Sequence, residues 1–155
     1  MQPENYKLLS LKEYISENIG DDCGNWEYVH EPYIKSLVGN LNEDESEVFS
    51  NAIWDWDNSI IYELADPIIF GENKYLKQDY LYCRIFSEIN DFDNLDYLAQ
   101  NLGPCFYSIK PEDYDIEMFK KIRFNLLFVL EKTTDNEGWK NNYRKLLVAL
   151  DEIIS

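Results

Sequence analysis

The 155-residue chain carries 30 Asp and Glu against 14 Lys and Arg, a formal net charge of −16. An apolar share of 45%, with 12 Tyr, 8 Phe and 4 Trp, excludes the composition of a disordered chain and suits one domain with its own core. No apolar run nears the ~20 residues of a membrane helix, and the start MQPENYKLLSLKEY has neither the basic nor the apolar stretch of a signal peptide, so a cytoplasmic protein with no membrane partner is expected.

In chain order, Ser10 and Glu13 form a capping box that opens a helix running to about Ile19, where Gly20 stops it. Residues 20–30, GDDCGNWEYVH, read as a loop. Pro32 then sits in a first helical turn, and Tyr33, Ile34, Leu37, Val38 and Leu41 follow at helical spacing. Asn42 with Glu45 makes the next cap, followed by one face of Val48, Phe49, Ala52, Ile53 and Trp56. A short helix over Ile60, Ile61, Leu64 and Ala65 is predicted to end at Asp66-Pro67, since proline disfavours helix at the preceding residue.

Lys74 to Ile89 is apolar around most of its circumference, with a polar strip of Lys77, Arg84 and Glu88, as suits a central helix. Asp91 caps a helix through Leu95, Leu98 and Leu102 that Gly103-Pro104 is predicted to stop, and CFYSIKP reads as a loop. Residues 116–132 are again apolar nearly all round, although RFNLLFVL also fits a buried strand. The last segment puts Trp139, Tyr143, Leu146, Leu147, Leu150, Ile153 and Ile154 on one stripe. The expected fold is therefore all-α, a single compact domain over residues 1–155 with about eight helices, HEAT-like helix pairs being one way to arrange them.

The charge is uneven. Residues 1–72 hold 16 acids and only Lys7, Lys12 and Lys35, a balance of −13, whereas residues 73–155 hold 14 acids and 11 bases, a balance of −3. A field of one sign costs self-repulsion, and it either serves solubility or steers a basic partner. Direct nucleic-acid binding is disfavoured, because phosphates call for clustered Lys and Arg.

Little in the chain carries chemistry. An EF-hand register from Asp55 offers Asp57 and Ser59, but Ile60 stands where glycine is needed and Asp66 where a bidentate Glu is due. A register from Asp91 offers Asp93 and then fails at Leu95. Asp55 and Asp57 on a helix would also point about 200° apart. His30 is the only histidine, so no HExxH motif or nucleophile–His–acid arrangement is legible, and it reads as a capping or surface residue. Cys23, Cys83 and Cys105 form no CxxC pair and read as reduced thiols, Cys83 in the core. With 6 Gly there is no GxGxxG or GxxxxGK[ST] phosphate loop. Glu13 with Glu17, Glu43 with Glu47 and Glu63 with Asp66 can adjoin on helices, but neither a cleft nor a shifted pKa is visible in a sequence. No enzyme, metal or cofactor is expected.

A binding surface is the sharper expectation. On a helix starting near Glu43, Trp56 would fall in the core face, while Trp54 would lie beside Glu43, Glu47 and Ser50 on an acidic face. Trp26 and Tyr28 in the acidic stretch DDCGNWEYVHE form a second aromatic cluster, and Tyr107 near Glu112, Asp113 and Asp115 a third. Exposed aromatics are enriched in binding hot spots, and surrounding carboxylates set on-rate and orientation toward a basic surface. The contact residues expected are Asp22, Trp26, Glu27, Glu43, Glu47 and Trp54.

A strongly acidic, Tyr-rich and Trp-rich helical chain with stretches such as AIWDWDNSIIYELADPIIF and an apolar C-terminal helix resembles the immunity proteins of bacterial toxin–immunity pairs, including those of contact-dependent growth inhibition. The likeness is one of overall character across the chain, and no site residue is carried over from it. It implies a cytoplasmic inhibitor that neutralises one cognate toxin, commonly a basic nuclease, by covering its active site or substrate surface. The alternatives are a HEAT-like protein-binding adaptor and a DNA-mimic inhibitor.

Overall fold

A computed structural model of the chain describes residues 3–133 and 136–155. Every regular element among them is helical, as expected for an all-α fold. The chain divides into two compact units, Met1–Leu81 and Tyr82–Ser155.

The N-terminal unit opens with α1 (Pro3–Asn18). The helix begins seven residues before the predicted Ser10 cap. Pro3 suits a first turn, where its missing N–H has no intrahelical role, and Leu8, Leu11 and Ile15 form one buried stripe that runs past Ser10. Gly20 ends the helix as predicted, with φ +97, a conformation other residues rarely adopt.

Of the predicted loop at 20–30, residues 20–22 are irregular and the rest is helical instead. Asp22 caps α2 (Cys23–Asn25) by accepting the Asn25 N–H at 2.8 Å. The chain continues through a π-helical turn, Trp26–His30, into α3 (Glu31–Gly39). The Glu31 N–H reaches the Trp26 carbonyl, five residues back. Pro32 has no N–H to offer the preceding turn, and a widened helix accommodates that gap.

The capping box at Asn42 and Glu45 is present in full and starts α4 (Glu43–Ala52). After a 3₁₀ turn at Ile53–Asp55, α5 (Asn58–Glu63) is followed at once by α6 (Ala65–Ile69). Asp66-Pro67 therefore does not terminate a helix. Pro67 lies in the first turn of α6, where proline is tolerated, and Leu64, Ala65 and Ile68 beside it are buried. Gly71 approaches the Pro67 carbonyl so closely that a Cβ would lie 2.4 Å from its oxygen.

Buried Asn73 closes this unit. Its amide donates to Val38 O at 2.9 Å and Ser46 Oγ at 3.0 Å, with Leu41 O at 3.3 Å, and its Oδ1 accepts the Tyr75 N–H at 2.8 Å. That last bond holds residues after Asn73 in a turn, so α7 (Gln78–Glu88) starts four residues later than the apolar pattern suggested.

The division between the units falls within α7, whose Tyr82, Cys83, Ile85 and Phe86 are fully buried. In the C-terminal unit, α8 (Phe92–Ser108), α9 (Ile116–Lys132) and α10 (Glu137–Ile154) pack pairwise on one another. Asp91 caps α8 as predicted, but the helix passes through Gly103-Pro104 to Ser108. Burial of Leu102, Cys105 and Phe106 on both sides of the proline outweighs its missing bond. RFNLLFVL is helical, within α9. Asn125 on α9 is buried and donates to Phe86 O at 2.9 Å and Ile89 O at 3.1 Å, near the end of α7.

Among the described residues no helix is long and apolar enough to cross a membrane, and no group of three or more His, Cys, Asp or Glu side chains is placed to hold a metal ion. Cys83 and Cys105 are buried and Cys23 is exposed.

Candidate functional site

The six contact residues expected from the sequence all fall within the N-terminal unit, on two sets of elements that each pack against α1, whereas the Tyr107 cluster with Glu112, Asp113 and Asp115 lies in the C-terminal unit. Asp22, Trp26 and Glu27 belong to α2 and the π-helical turn; Glu43, Glu47 and Trp54 belong to α4 and the 3₁₀ turn after it.

The first set is organised by His30. Expected as a capping or surface residue, His30 does stand at the N-cap of α3 but makes no side-chain cap bond, and it is 8% exposed. Its Nδ1 lies 2.7 Å from the Tyr14 hydroxyl of α1, and its Nε2 lies 2.8 Å from Asp21 Oδ2. An ionised carboxylate only accepts, so Nε2 carries a proton toward Asp21. The Tyr14 hydroxyl can serve Nδ1 in either charge state, donating to the neutral ring or accepting from the protonated one. The hydrogen bond from His30 holds the Asp21 carboxyl below the usual carboxylate range, helped by the Asp22 backbone N–H. Burial raises the Tyr14 hydroxyl above its ordinary value, with Tyr33 adding to the rise.

The correction to His30 and the correction to the loop share one cause, because the π-helical turn rotates His30 inward while leaving Tyr28 77% exposed and Val29 53% exposed. Trp26 is half-buried, its ring centroid 5.7 Å from that of His30. Glu27 and Asp22 are exposed.

In the second set Glu43 and Glu47 are exposed, whereas Glu45 between them is buried. Glu45 accepts the Asn42 N–H at 2.8 Å and pairs with Lys7 at 2.9 Å, and these two partners hold its carboxyl below the usual range. The expected contrast between the tryptophans is absent. The α-helix ends at Ala52, Trp56 has extended backbone, and both rings are half-buried. Trp56 therefore is not the fully buried core residue predicted, and the Lys12 ammonium lies 6.0 Å from its ring centroid. The Trp54 indole N–H donates to Ser50 O at 2.7 Å, which ties it to the last turn of α4.

A third feature had only partly been visible. Glu63 at the end of α5 and Asp66 on α6 meet Glu31 of α3, since α3 packs along α6. Burial, then Glu31, then Asp66 push the Glu63 carboxyl up to about 7. Burial also raises Glu31, with Asp66 and Glu27 adding to the rise and Lys35 opposing it. Adjacency of Glu63 and Asp66 is legible in the sequence; the arrival of Glu31 from 32 positions earlier has no local signal. The three lysines of residues 1–72 thus face Glu45, Trp56 and Glu31, which leaves the outer carboxylates of this unit as its dominant charge.

Chemically this surface offers acceptors in quantity, the exposed Tyr28 ring beside them, and a buried Tyr14–His30–Asp21 hydrogen-bond chain at one edge. No family model matches the chain, and no solved structure matches it. Among curated proteins it is similar to the DNA polymerase delta catalytic subunit of Plasmodium falciparum (isolate K1 / Thailand), 26% identical over 155 residues. That alignment covers 94% of this chain and 14% of the polymerase subunit. At this identity and coverage the likeness assigns the chain to no family.

Proposed function

We propose that the chain is a non-enzymatic inhibitor of the immunity-protein type, which neutralises a cognate basic toxin domain through the acidic, aromatic surface of its N-terminal unit. The observation that carries this reading is the concentration of charge there, combined with exposed rings. Glu27 and Tyr28 stand outward on a turn held by His30, and Glu43 and Glu47 stand outward on α4. Such an arrangement attracts a lysine-rich and arginine-rich surface at long range and offers aromatic contacts at short range. A basic nuclease is the partner class that fits best, since its phosphate-binding surface is complementary to a carboxylate field.

Co-expression with the protein encoded beside this gene, scored by rescue of growth and by recovery of a complex, tests the reading. Association should slow steeply as salt rises while dissociation changes little. A complex whose association rate ignores both salt and the pair Glu27→Lys with Glu47→Lys would overturn it.

A further inference from the structure

A cleft of about 240 Å³ opens between α8 and α10 within the C-terminal unit, lined by none of the residues of the N-terminal unit. Its lining is mostly apolar and aromatic. Tyr107 stands at the rim, 60% exposed, while Tyr143 and Leu146 form buried walls. Trp139 and Tyr143 lie nearly parallel, at 23°, with centroids 6.2 Å apart. The cleft coincides with Gly103-Pro104, the pair that α8 runs through instead of ending at. Gly103 adds no side chain to the space, and Pro104 has no N–H to give the carbonyl of Gln100, which also lines the cleft.

Two exposed polar residues, Asn142 and Lys145, are part of the lining. The neighbouring bases of α10 are committed, Arg144 to Glu137 at 3.5 Å and Lys140 to Glu137 at 4.0 Å, whereas Lys145 has no carboxylate partner among the described residues. Burial and Asp96 push the Tyr143 hydroxyl up to about 12, so this wall stays neutral and contributes no opposing charge. Asp96 acts on the Tyr143 wall without lining the cleft, whereas Lys145 is the one charged residue of the lining.

We infer that this cleft is a binding site for a small planar aromatic carboxylate, its rings between Tyr107 and the Trp139–Tyr143 wall and its carboxylate at Lys145 and Asn142. The volume suits one or two fused rings and is below the range of drug-sized pockets. Flat rings match aromatic walls through offset or edge contacts, and an exposed ammonium supplies orientation. The site stands independently of the proposed inhibitor role, because it uses no residue of the N-terminal unit.

The test is ligand-observed NMR and calorimetry on the full chain, with 2-naphthoate as probe, 2-naphthylmethanol as its neutral counterpart and benzyltrimethylammonium as a cation. Naphthoate should bind more tightly than the alcohol, with protein contacts at Tyr107 and Trp139. Lys145→Ala should weaken naphthoate roughly tenfold and leave the alcohol unchanged, the loss expected for one charge-assisted contact. Tyr107→Ala, at a position too exposed to be needed for folding, should weaken both. Lys121→Ala on α9 should change neither. Absence of naphthoate binding at millimolar concentration, tighter binding of the cation, or affinity indifferent to Lys145→Ala and Tyr107→Ala would each overturn the inference.

Discussion

The two units solve the same packing problem in the same way and then part company at the surface. In each, a buried asparagine donates to backbone carbonyls near a helix end: Asn73 to Val38 and Leu41 in the first, Asn125 to Phe86 and Ile89 in the second. Yet Met1–Leu81 holds 17 acids against 5 bases, whereas Tyr82–Ser155 holds 13 against 9. In the second unit several bases meet acids, Arg123 with Asp151 and Lys121 with Glu88 for example. Folding an all-α unit of this size evidently does not require a strong net charge. The excess in the first unit is a property added to a working core, and an added charge that opposes compaction calls for a functional explanation.

The largest effects should come from the shared device. Asn125→Leu and Asn73→Leu each remove a buried amide that donates to two or more backbone carbonyls, and each should lower stability by about 2–4 kcal/mol in urea unfolding. A small effect at either position would break the parallel between the units.

Next comes the relay that belongs to the first unit alone. His30→Phe removes both of its hydrogen bonds and should lower stability by about 1–3 kcal/mol, whereas Tyr14→Phe, which keeps the Asp21 contact, should lose about 1 kcal/mol. Thermal unfolding of the two variants orders these losses, and equal losses would mean that the Asp21 side of the relay contributes nothing.

A smaller effect depends on pH and separates two kinds of carboxylate. Glu63 in the folded chain titrates near 7, above its ordinary 4.5, so the folded state binds more protons than the unfolded one between these values. Its contribution is complete below the ordinary value and is lost as pH rises through about 7. Asp21 and Glu45 are shifted down, and theirs is present above the ordinary carboxylate value and lost as pH falls through the lowered one. Unfolding measured from pH 4 to 8 should therefore show a decline toward pH 7 that Glu63→Gln removes, leaving only the smaller part contributed by the raised Glu31. Persistence of that decline in the variant would assign it to other groups.

The smallest stability change is the most informative about function. Glu43→Lys and Glu47→Lys alter exposed positions and should shift stability by no more than about 0.5 kcal/mol. The same substitutions should slow association with a basic partner severalfold at low salt, a change read by stopped-flow mixing. Large destabilisation instead would show that the surface charge is structural after all.

Local devices made much of the fold readable. The Asn42–Glu45 capping box, the Asp91 cap and the Gly20 stop each act within about four residues, and the Leu146 and Leu150 stripe of α10 follows from helical spacing alone. The failures occurred where burial elsewhere in the chain overrode a local signal. Ser10 looks like a cap but lies inside α1 because Leu8 is buried on the preceding turn, and Pro104 looks like a stop but lies inside α8 because Cys105 and Phe106 are buried beyond it.

The candidate site shows the same boundary. Its charge, its aromatic content and its place in the first half of the chain are written in composition, as is the balance of the second half. Which carboxylates are exposed, which are neutralised and which repel one another is not. Glu45 meets Lys7 from 38 positions away, Glu63 meets Glu31 from 32, and His30 turns inward to Tyr14 only because a π-helical turn widens the backbone ahead of Pro32. Periodicity and caps are set by neighbours along the chain, so the sequence alone determines them; burial and electrostatic partners are set by neighbours in space, and only the tertiary structure decides those.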